Sequence, residues 1–444
     1  MNIKQTAQAG IFYPDNKEDL ENLFNRFDDG HVANYDSRVI IVPHAGYIYS
    51  GQTAFNTYKF LDKSVKNIFI FAPSHYERLY GCVISGYDSF ETPFGILDVN
   101  TELSKEFAQF CDCDINDAAF EKEHSLEVQL PFIKYFLPEA KIIPVLYGCE
   151  NFKNLAESIS RFYQNKENAF VISSDLSHYY PEKDAAKIDE YTARMIESND
   201  IRNFEVEQAC GAVGICGAVN FASLNDYTFI RTDLTTSARA TGDTSRVVGY
   251  GGWFLYEGDK NQYIKENYSD FLIKTARESI QSGLQLGSYP PKNLPCVLEE
   301  NGASFVTLEI NNNLRGCIGS IMAHRPLIND LYKNAHASAF SDPRFRPLSM
   351  EEFPLIKISI SLLSTPKRVE FKTEEELLDK LRPEIDGLII RDRNYQAVFL
   401  PVVWEQLPDK HEFLEALKQK AGMPYNYKSD TLEAFIFQTI YIKE

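Results

Sequence analysis

The chain has 444 residues, more than one hydrophobic core normally serves, so two domains are expected, and 44% hydrophobic with 13% aromatic residues is enough to fill both. Its formal charge of −18, from 63 acidic against 45 basic residues, argues against nucleic acid or an anionic membrane surface as a partner. No basic segment followed by an apolar one opens the sequence, and no apolar run approaches the roughly 20 residues that span a bilayer, so a cytoplasmic protein is expected.

In chain order, "RVIIVP", "NIFIFAP", "AKIIPVLYG" and "NAFVISSD" are short runs rich in Val, Ile and Phe, stopped by Pro, Gly or Ser. Strands buried on both faces read this way. Between them "GQTAFNTYKFLDK", "SLEVQLPFIKYFL" and "FKNLAESISRFYQN" space apolar residues three to four apart, as helices do. The alternation predicts an α/β domain with a mostly parallel sheet, helices on both faces, and the strand C-terminal ends along one edge. "VVGYGGWFLY" reads as its last strand, with glycines that permit close backbone approach.

The polar stretch "YEGDKNQYIKENYSD" shows neither strand nor helix pattern and predicts a boundary at 258–264, with domains at 1–257 and 264–444. Beyond it "FLIKTARESIQSGL" has helical spacing, "LIKISISLL" alternates as a strand with one wet face, and "GLIIRDRNYQAVFLP" reads as a hairpin about Arg391 to Asn394. The second domain is therefore expected to be α+β with antiparallel strands. Eight cysteines are thinly spread without a C-x-x-C pair, which predicts reduced thiols; Cys111 and Cys113 form a lone C-x-C.

Histidines recur at strand ends. His44 follows "RVIIVP", His75 follows "NIFIFAPS" and His178 follows "NAFVISSDLS", while His124 stands beside Glu123 at a helix start. Open α/β sheets place their ligand crevice at that edge. Imidazoles with a carboxylate suit Zn, Cu or non-heme Fe(II), and Asp175, Glu123 and Asp243 are available carboxylates. The same histidines serve equally as general acid and base without metal, with Tyr47 and Tyr49 as phenolic partners. Spacing does not separate these readings. Cys210 in "ACGAVGICGAVNFA" stands where a helix N-terminus approaches a ligand, or where helices pack closely; with His178 it would make a Cys/His nucleophile pair.

The blocks "VPHAGYIYSG", "APSHY", "EHSLEVQLPF", "SSDLSHY", "ACG" and "TGDTSRVVGYGG" resemble, in that order, the Memo family. The resemblance implies the fold of class III extradiol ring-cleaving dioxygenases, metal binding at His44 and His75, and a cleft lined by Asp175 and His178. The family's third ligand in animal proteins is a cysteine, and counting back from Tyr250 places Ala240 at that position. Another residue is then expected as third ligand, with Asp243, Asp175, Glu123 and His178 as candidates and an aspartate or glutamate preferred; a hard oxygen in place of a thiolate would shift preference from copper toward iron or another hard divalent ion.

From about 264 onward, "LRGCIGS", "DPRFRPLS", "LPVVWEQ" and "EFLEALKQKAGMP" resemble the AMMECR-type domain. Arg315 would fix an anionic group, helped by Arg344 and Arg346, and Cys317 would be a reactive thiol; the other reading is a tight strand turn with Cys317 packed as a small hydrophobe. The combined expectation is a divalent-metal oxidoreductase of dioxygenase type, Fe(II) favoured over Zn or Cu. His44, His75 and Asp243 would hold the metal, and His178, Asp175, His124 and Tyr47 would act in catalysis. Cys210, Arg315 and Cys317 would contact cofactor. The substrate is a small molecule, an aromatic one among the options, and the resemblance adds a radical S-adenosylmethionine protein as partner. A non-enzymatic binding module and a metal-free hydrolase are the competing expectations.

Overall fold

The computed structural model describes residues 2–285, 290–292, 294–424 and 427–444. The chain divides into two compact units, Met1–Lys260 and Asn261–Glu444.

The first unit is built on a nine-stranded sheet. Its strands, numbered along the chain, are β1 (Val39–Val42), β2 (Asn67–Pro73), β3 (Cys82–Ile84), β4 (Asp114–Ile115), β5 (Lys141–Tyr147), β6 (Asn168–Ser173), β7 (His178–Tyr180), β8 (Thr228–Thr236) and β9 (Val247–Tyr256). The central four run parallel in the order β1-β6-β2-β5, with Val42 opposite Ser173 and Phe71 opposite Ile172. Antiparallel strands flank them: β9 pairs with β1 and carries β7 and β8, and β3 pairs with β5. Every residue of β1, β2 and β6 is buried, which is why those segments read as unbroken apolar runs.

Helices cover both faces. Val39, Ile41, Phe69, Phe71, Phe170 and Ile172 pack with Leu155, Ile159 and Phe162 of the helix Phe152–Phe162 and with Ile215 and Val219 of the helix Ala212–Leu224. The helices Tyr47–Tyr58 and Leu130–Phe136 interlock through Tyr47, Tyr58 and Phe132, with Phe24 stacked on Phe132 at 4.9 Å. Burying each such ring stabilises the fold by roughly 1.5–3 kcal/mol. The first unit is therefore the expected α/β fold with helices on both faces, but its sheet is mixed, a parallel centre flanked by antiparallel strands. Among the described residues no helix is long and apolar enough to cross a membrane.

One expectation is corrected here: Cys82 and Cys113 form a disulfide, with Cα atoms 5.3 Å apart. Asp112 takes the left-handed conformation after the helix Thr101–Cys111 and turns the chain so that Cys113, rather than Cys111, meets the start of β3.

The second unit contains two antiparallel sheets. One joins Asn313–Gly319, Asn301–Ile310, Lys357–Leu363 and Thr439–Lys443, with Arg325–Pro326 added; the other joins Lys367–Val369, Glu433–Phe437, Gly387–Asp392 and Tyr395–Phe399. The hairpin falls where the sequence predicts it, Asp392 pairing with Tyr395 and Arg393 at φ +51°. The polar stretch read as patternless is instead the start of a helix, Lys260–Gln285. From Lys260 to Asp270 it contains no Pro or Gly to stop a helix, and Tyr263 and Ile264 give it a buried face.

Candidate metal centre

The parallel strands deliver their histidines to one place. His44 follows β1, His75 follows β2, and the helix His124–Glu127 brings His124 beside them, Ser125 Oγ donating to Pro73 O at 2.7 Å. One ligand nitrogen from each of the three rings lies within 4.8 Å of the other two. Ring centroids are 5.2 Å apart for His44 and His75, 5.5 Å for His44 and His124, and 4.5 Å for His75 and His124.

Hydrogen bonds fix the tautomers. Ser173 Oγ donates its only proton to Ser125 O at 2.6 Å and accepts from Gln129 Nε2 at 2.9 Å. It must therefore accept at 2.9 Å from His44 Nδ1, which carries the proton and leaves the lone pair on Nε2. His75 Nδ1 likewise faces Glu123 Oε1 at 2.9 Å, and Glu123 also accepts from the His75 and Ser125 backbone N–H groups. Imidazoles whose Nδ1 protons are held this way are oriented as Nε2 donors to a metal. His124 is held more loosely: its buried Nδ1 makes no hydrogen bond and only faces Glu123 Oε1 at 3.4 Å.

Burial pushes His44 well below its ordinary pKa, and the neighbouring His75, His124 and His178 push the same way. Burial, then His75, lowers His124 to about 4. Burial also lowers His178, whose ring is bonded to the Leu176 backbone. Neutral imidazoles can bind a cation at neutral pH without losing a proton.

The remaining predicted residues are placed as follows. Asp175 is buried and its Oδ1 accepts the His44 backbone N–H at 2.7 Å, so it braces the His44 turn; burial raises it to about 7 against the His44 and Ala45 N–H bonds and the His75 charge. Cys210 Sγ lies 3.2 Å from His44 Nε2 and accepts from Asp175 N at 3.3 Å. The thiol therefore pairs with His44 and not with His178. Ala240 is exposed on the short helix Ala238–Thr241, and the cysteine beside His44 is Cys210, from a different segment.

Asp243 is exposed, its Oδ1 accepting from Ser245 N and Oγ at 2.8 and 2.7 Å, and it is no member of the cluster. The third group is His124, so the donor set is nitrogen and the argument for iron from a hard oxygen lapses. Tyr47 is a core residue whose hydroxyl donates to Val128 O at 2.6 Å. In the second unit Arg315 makes a two-pronged pair with Glu352 at 2.8 and 2.9 Å, and Arg344 is bound to Asp342. Both guanidinium groups thus hold carboxylates, while Arg315 Nη1 is buried without a hydrogen-bond partner. Cys317 is half-buried, accepting from Thr307 Oγ1 at 3.3 Å.

Ser173, Gln129 and Gly211 went unmarked in the sequence. Gly211 lets the helix Ala212–Leu224 start against the end of β6: its N–H donates to Ser174 Oγ at 2.9 Å, and an added Cβ would lie 2.6 Å from Ser173 O and 2.5 Å from Ser174 Cβ. Gly211→Ala is expected to cost about 2–3 kcal/mol by forcing the two segments apart. An unchanged urea midpoint would refute this.

Asp189 braces the same loop from the helix Glu182–Glu197. Its Oδ1 accepts from Ser177 N at 3.0 Å, and its buried Oδ2 has no partner. Burial, only partly offset by the Ser177 bonds, raises it from 3.8 to about 6. The folded protein holds a proton that the unfolded chain releases, so this contribution is complete below pH 3.8 and is lost as pH rises through about 6. The loss amounts to ~3 kcal/mol. Asp189→Asn should remove that fall, read as the difference in unfolding free energy between variant and native protein from pH 4 to 7; parallel curves would contradict it.

Residues 4–254 match the Memo-like protein family and residues 273–442 match the AMMECR1 family. The chain is 34% identical over 267 residues to a MEMO1 family protein of Aquifex aeolicus, covering 57% of this chain and 98% of that one. Relatives of the same description in Metallosphaera sedula and Methanococcoides burtonii are each 33% identical, over 275 and 271 residues, each covering 56% of this chain and 97% and 98% of theirs. A crystal structure of an uncharacterized protein from Pyrococcus horikoshii is 33% identical, covering 39% of this chain and 90% of its own, with a TM-score of 0.37.

Proposed function

Since the chain belongs to the Memo family and its histidines converge on one cleft, we propose that the first unit is a divalent-metal site for redox chemistry on a small molecule. The observation that carries this reading is the convergence of three ring nitrogens, two of them on imidazoles whose Nδ1 protons are held in place. Three neutral nitrogens suit Zn, Fe(II) or Cu. When bound, such an ion supplies a Lewis acid or a one-electron centre. The chain's own residues do the rest: Glu123 and Ser173 orient the ligand rings, Asp175 holds the His44 turn, and His178, half-buried at the end of the loop, is placed to exchange a proton with the bound molecule.

A thiol-based reaction without metal is disfavoured by the same site. Burial, and then the Asp175 charge, pushes the Cys210 thiol up, while burial pushes His44 down, so the pair is a neutral S–H···N bond and not a thiolate-imidazolium pair. Titration of metal-free protein with Co(II), followed by its visible spectrum, tests the proposal. One equivalent of four- or five-coordinate Co(II) is expected, and a featureless spectrum of fully hydrated Co(II) would end it.

A further inference from the structure

Tyr179, next to His178, has φ +65°, a left-handed conformation that a bulky side chain occupies only when its surroundings hold it there. It sits where the pairing of β7 with β9 shifts register, His178 opposite Val248 and Tyr180 opposite Val247. Such a bulge re-aims a side chain. Here it does not aim the ring into the core, because Tyr179 is 61% exposed. The strained backbone instead presents a ring to solvent beside the histidine cleft, its centroid 5.7 Å from that of His178.

On that ring lies Arg246, its Cζ 4.6 Å from the centroid. Arg246 is exposed, and among the described residues no carboxylate pairs with it. Six of the unit's other eight arginines, Arg38, Arg161, Arg194, Arg202, Arg231 and Arg239, each hold one, while no carboxylate is seen on Arg26 or on Arg78, which lies on the Tyr80 ring. The nearest acid in sequence, Asp243, is turned to Ser245. In a chain of net charge −18, an arginine kept from carboxylates beside a cleft requires a reason. Stacking occupies the face of the guanidinium and leaves the N–H donors at its edge free for a two-pronged bond to an oxyanion.

We propose that Arg246, carried on the bulged Tyr179 ring, recognises an oxyanion at the mouth of the histidine cleft, and that the cleft takes a small molecule bearing a carboxylate or a phosphate. The inference rests on the cleft being a small-molecule site and names the charge of what enters. The test is calorimetric titration of the full-length protein, metal-free and Zn-loaded, with benzoate, phenyl phosphate and the uncharged benzyl alcohol. Arg246→Gln should weaken whichever anion binds by about tenfold or more, the worth of one charge-assisted pair, and leave benzyl alcohol unchanged. Tyr179→Gly, which removes the ring and relieves the backbone, should weaken the anion alike, and Arg246→Lys should fall between. Binding of Co(II) should be the same in all variants, so failure here is distinguishable from failure of the metal reading. Native protein that binds neither anion, or Arg246→Gln protein that binds them as well as native, would overturn the proposal; the second result would put the anion on the metal instead.

Discussion

Replacing His44 by alanine is expected to reduce divalent-metal affinity at least 100-fold, the largest functional effect of any single substitution in the chain. His44 is buried, its Nδ1 proton is committed to Ser173, and its Nε2 points where the Cys210 thiol and the other two rings converge. Removing one of three ligands from an oriented set loses the bond and the organisation around it. The same change removes one of the two donors to Ser173 and leaves the Cys210 thiol only the Asp175 carbonyl at 3.7 Å, at a stability cost of about 2–4 kcal/mol for the cavity and lost bonds together. His44→Gln fills more of the space and should fold better while still losing the metal. Competition against a chromophoric chelator reads the affinity, and far-UV circular dichroism verifies the fold. Affinity within threefold of native in both variants would remove His44 from the site.

The second large effect belongs to Glu123, which binds no metal itself. Its carboxylate accepts from the His75 backbone N–H at 2.6 Å, from His75 Nδ1 at 2.9 Å and from Ser125 N at 3.0 Å, so Glu123→Ala orphans three donors in one place. Each buried unpaired donor costs about 1–3 kcal/mol, and loss of an orienting carboxylate typically costs 10–100-fold in metal affinity. The conservative Glu123→Gln should fold but bind metal at least tenfold more weakly, because an amide holds the Nδ1 proton of His75 less firmly than a carboxylate. Burial works to raise the Glu123 carboxyl, and the His75 and Ser125 bonds outweigh it, so its pKa lies below the ordinary value. Its contribution to stability is therefore present above the unfolded-state pKa and is lost as acid titrates the folded carboxylate. This slope is opposite in sign to that of Asp189, so Glu123→Gln should flatten the acid limb that Asp189→Asn leaves in place. Equal metal affinity in native and Glu123→Gln protein would show that His75 needs no such brace.

The parallel core was legible because strands buried on both faces cannot alternate: β1, β2 and β6 announce themselves as apolar runs, and the residues after them must lie at one edge. His44, His75, Asp175 and His178 were found for that reason. Residues supplied by other segments were harder to assign. His124 depends on Ser125 docking to Pro73, and Cys210 on Gly211 fitting against Ser174, contacts between residues 52 and 37 positions apart that no local pattern encodes. Cys210 was named from its glycine-flanked helix start but paired with His178, because sequence says nothing of which strand end that segment reaches; it lies at His44.

Tyr47 was misassigned because proximity to His44 in sequence does not fix direction: it begins the helix Tyr47–Tyr58 and its ring turns inward onto Phe132. Asp243 illustrates the reverse case, a carboxylate of the right type that caps its own turn through Ser245. Arg315 carries the expected charge, but Glu352, 37 residues away, already neutralises it.

The central claim is that three imidazoles hold one metal ion. The most direct measurement is diffraction from Zn-loaded crystals at wavelengths either side of the zinc absorption edge. The anomalous difference should show one peak bonded to His44 Nε2, His75 Nε2 and a ring nitrogen of His124, with Cys210 Sγ either ligating or turned away from His44 Nε2. A map without a peak among these three rings, or with the strong peak at Asp243, would contradict it.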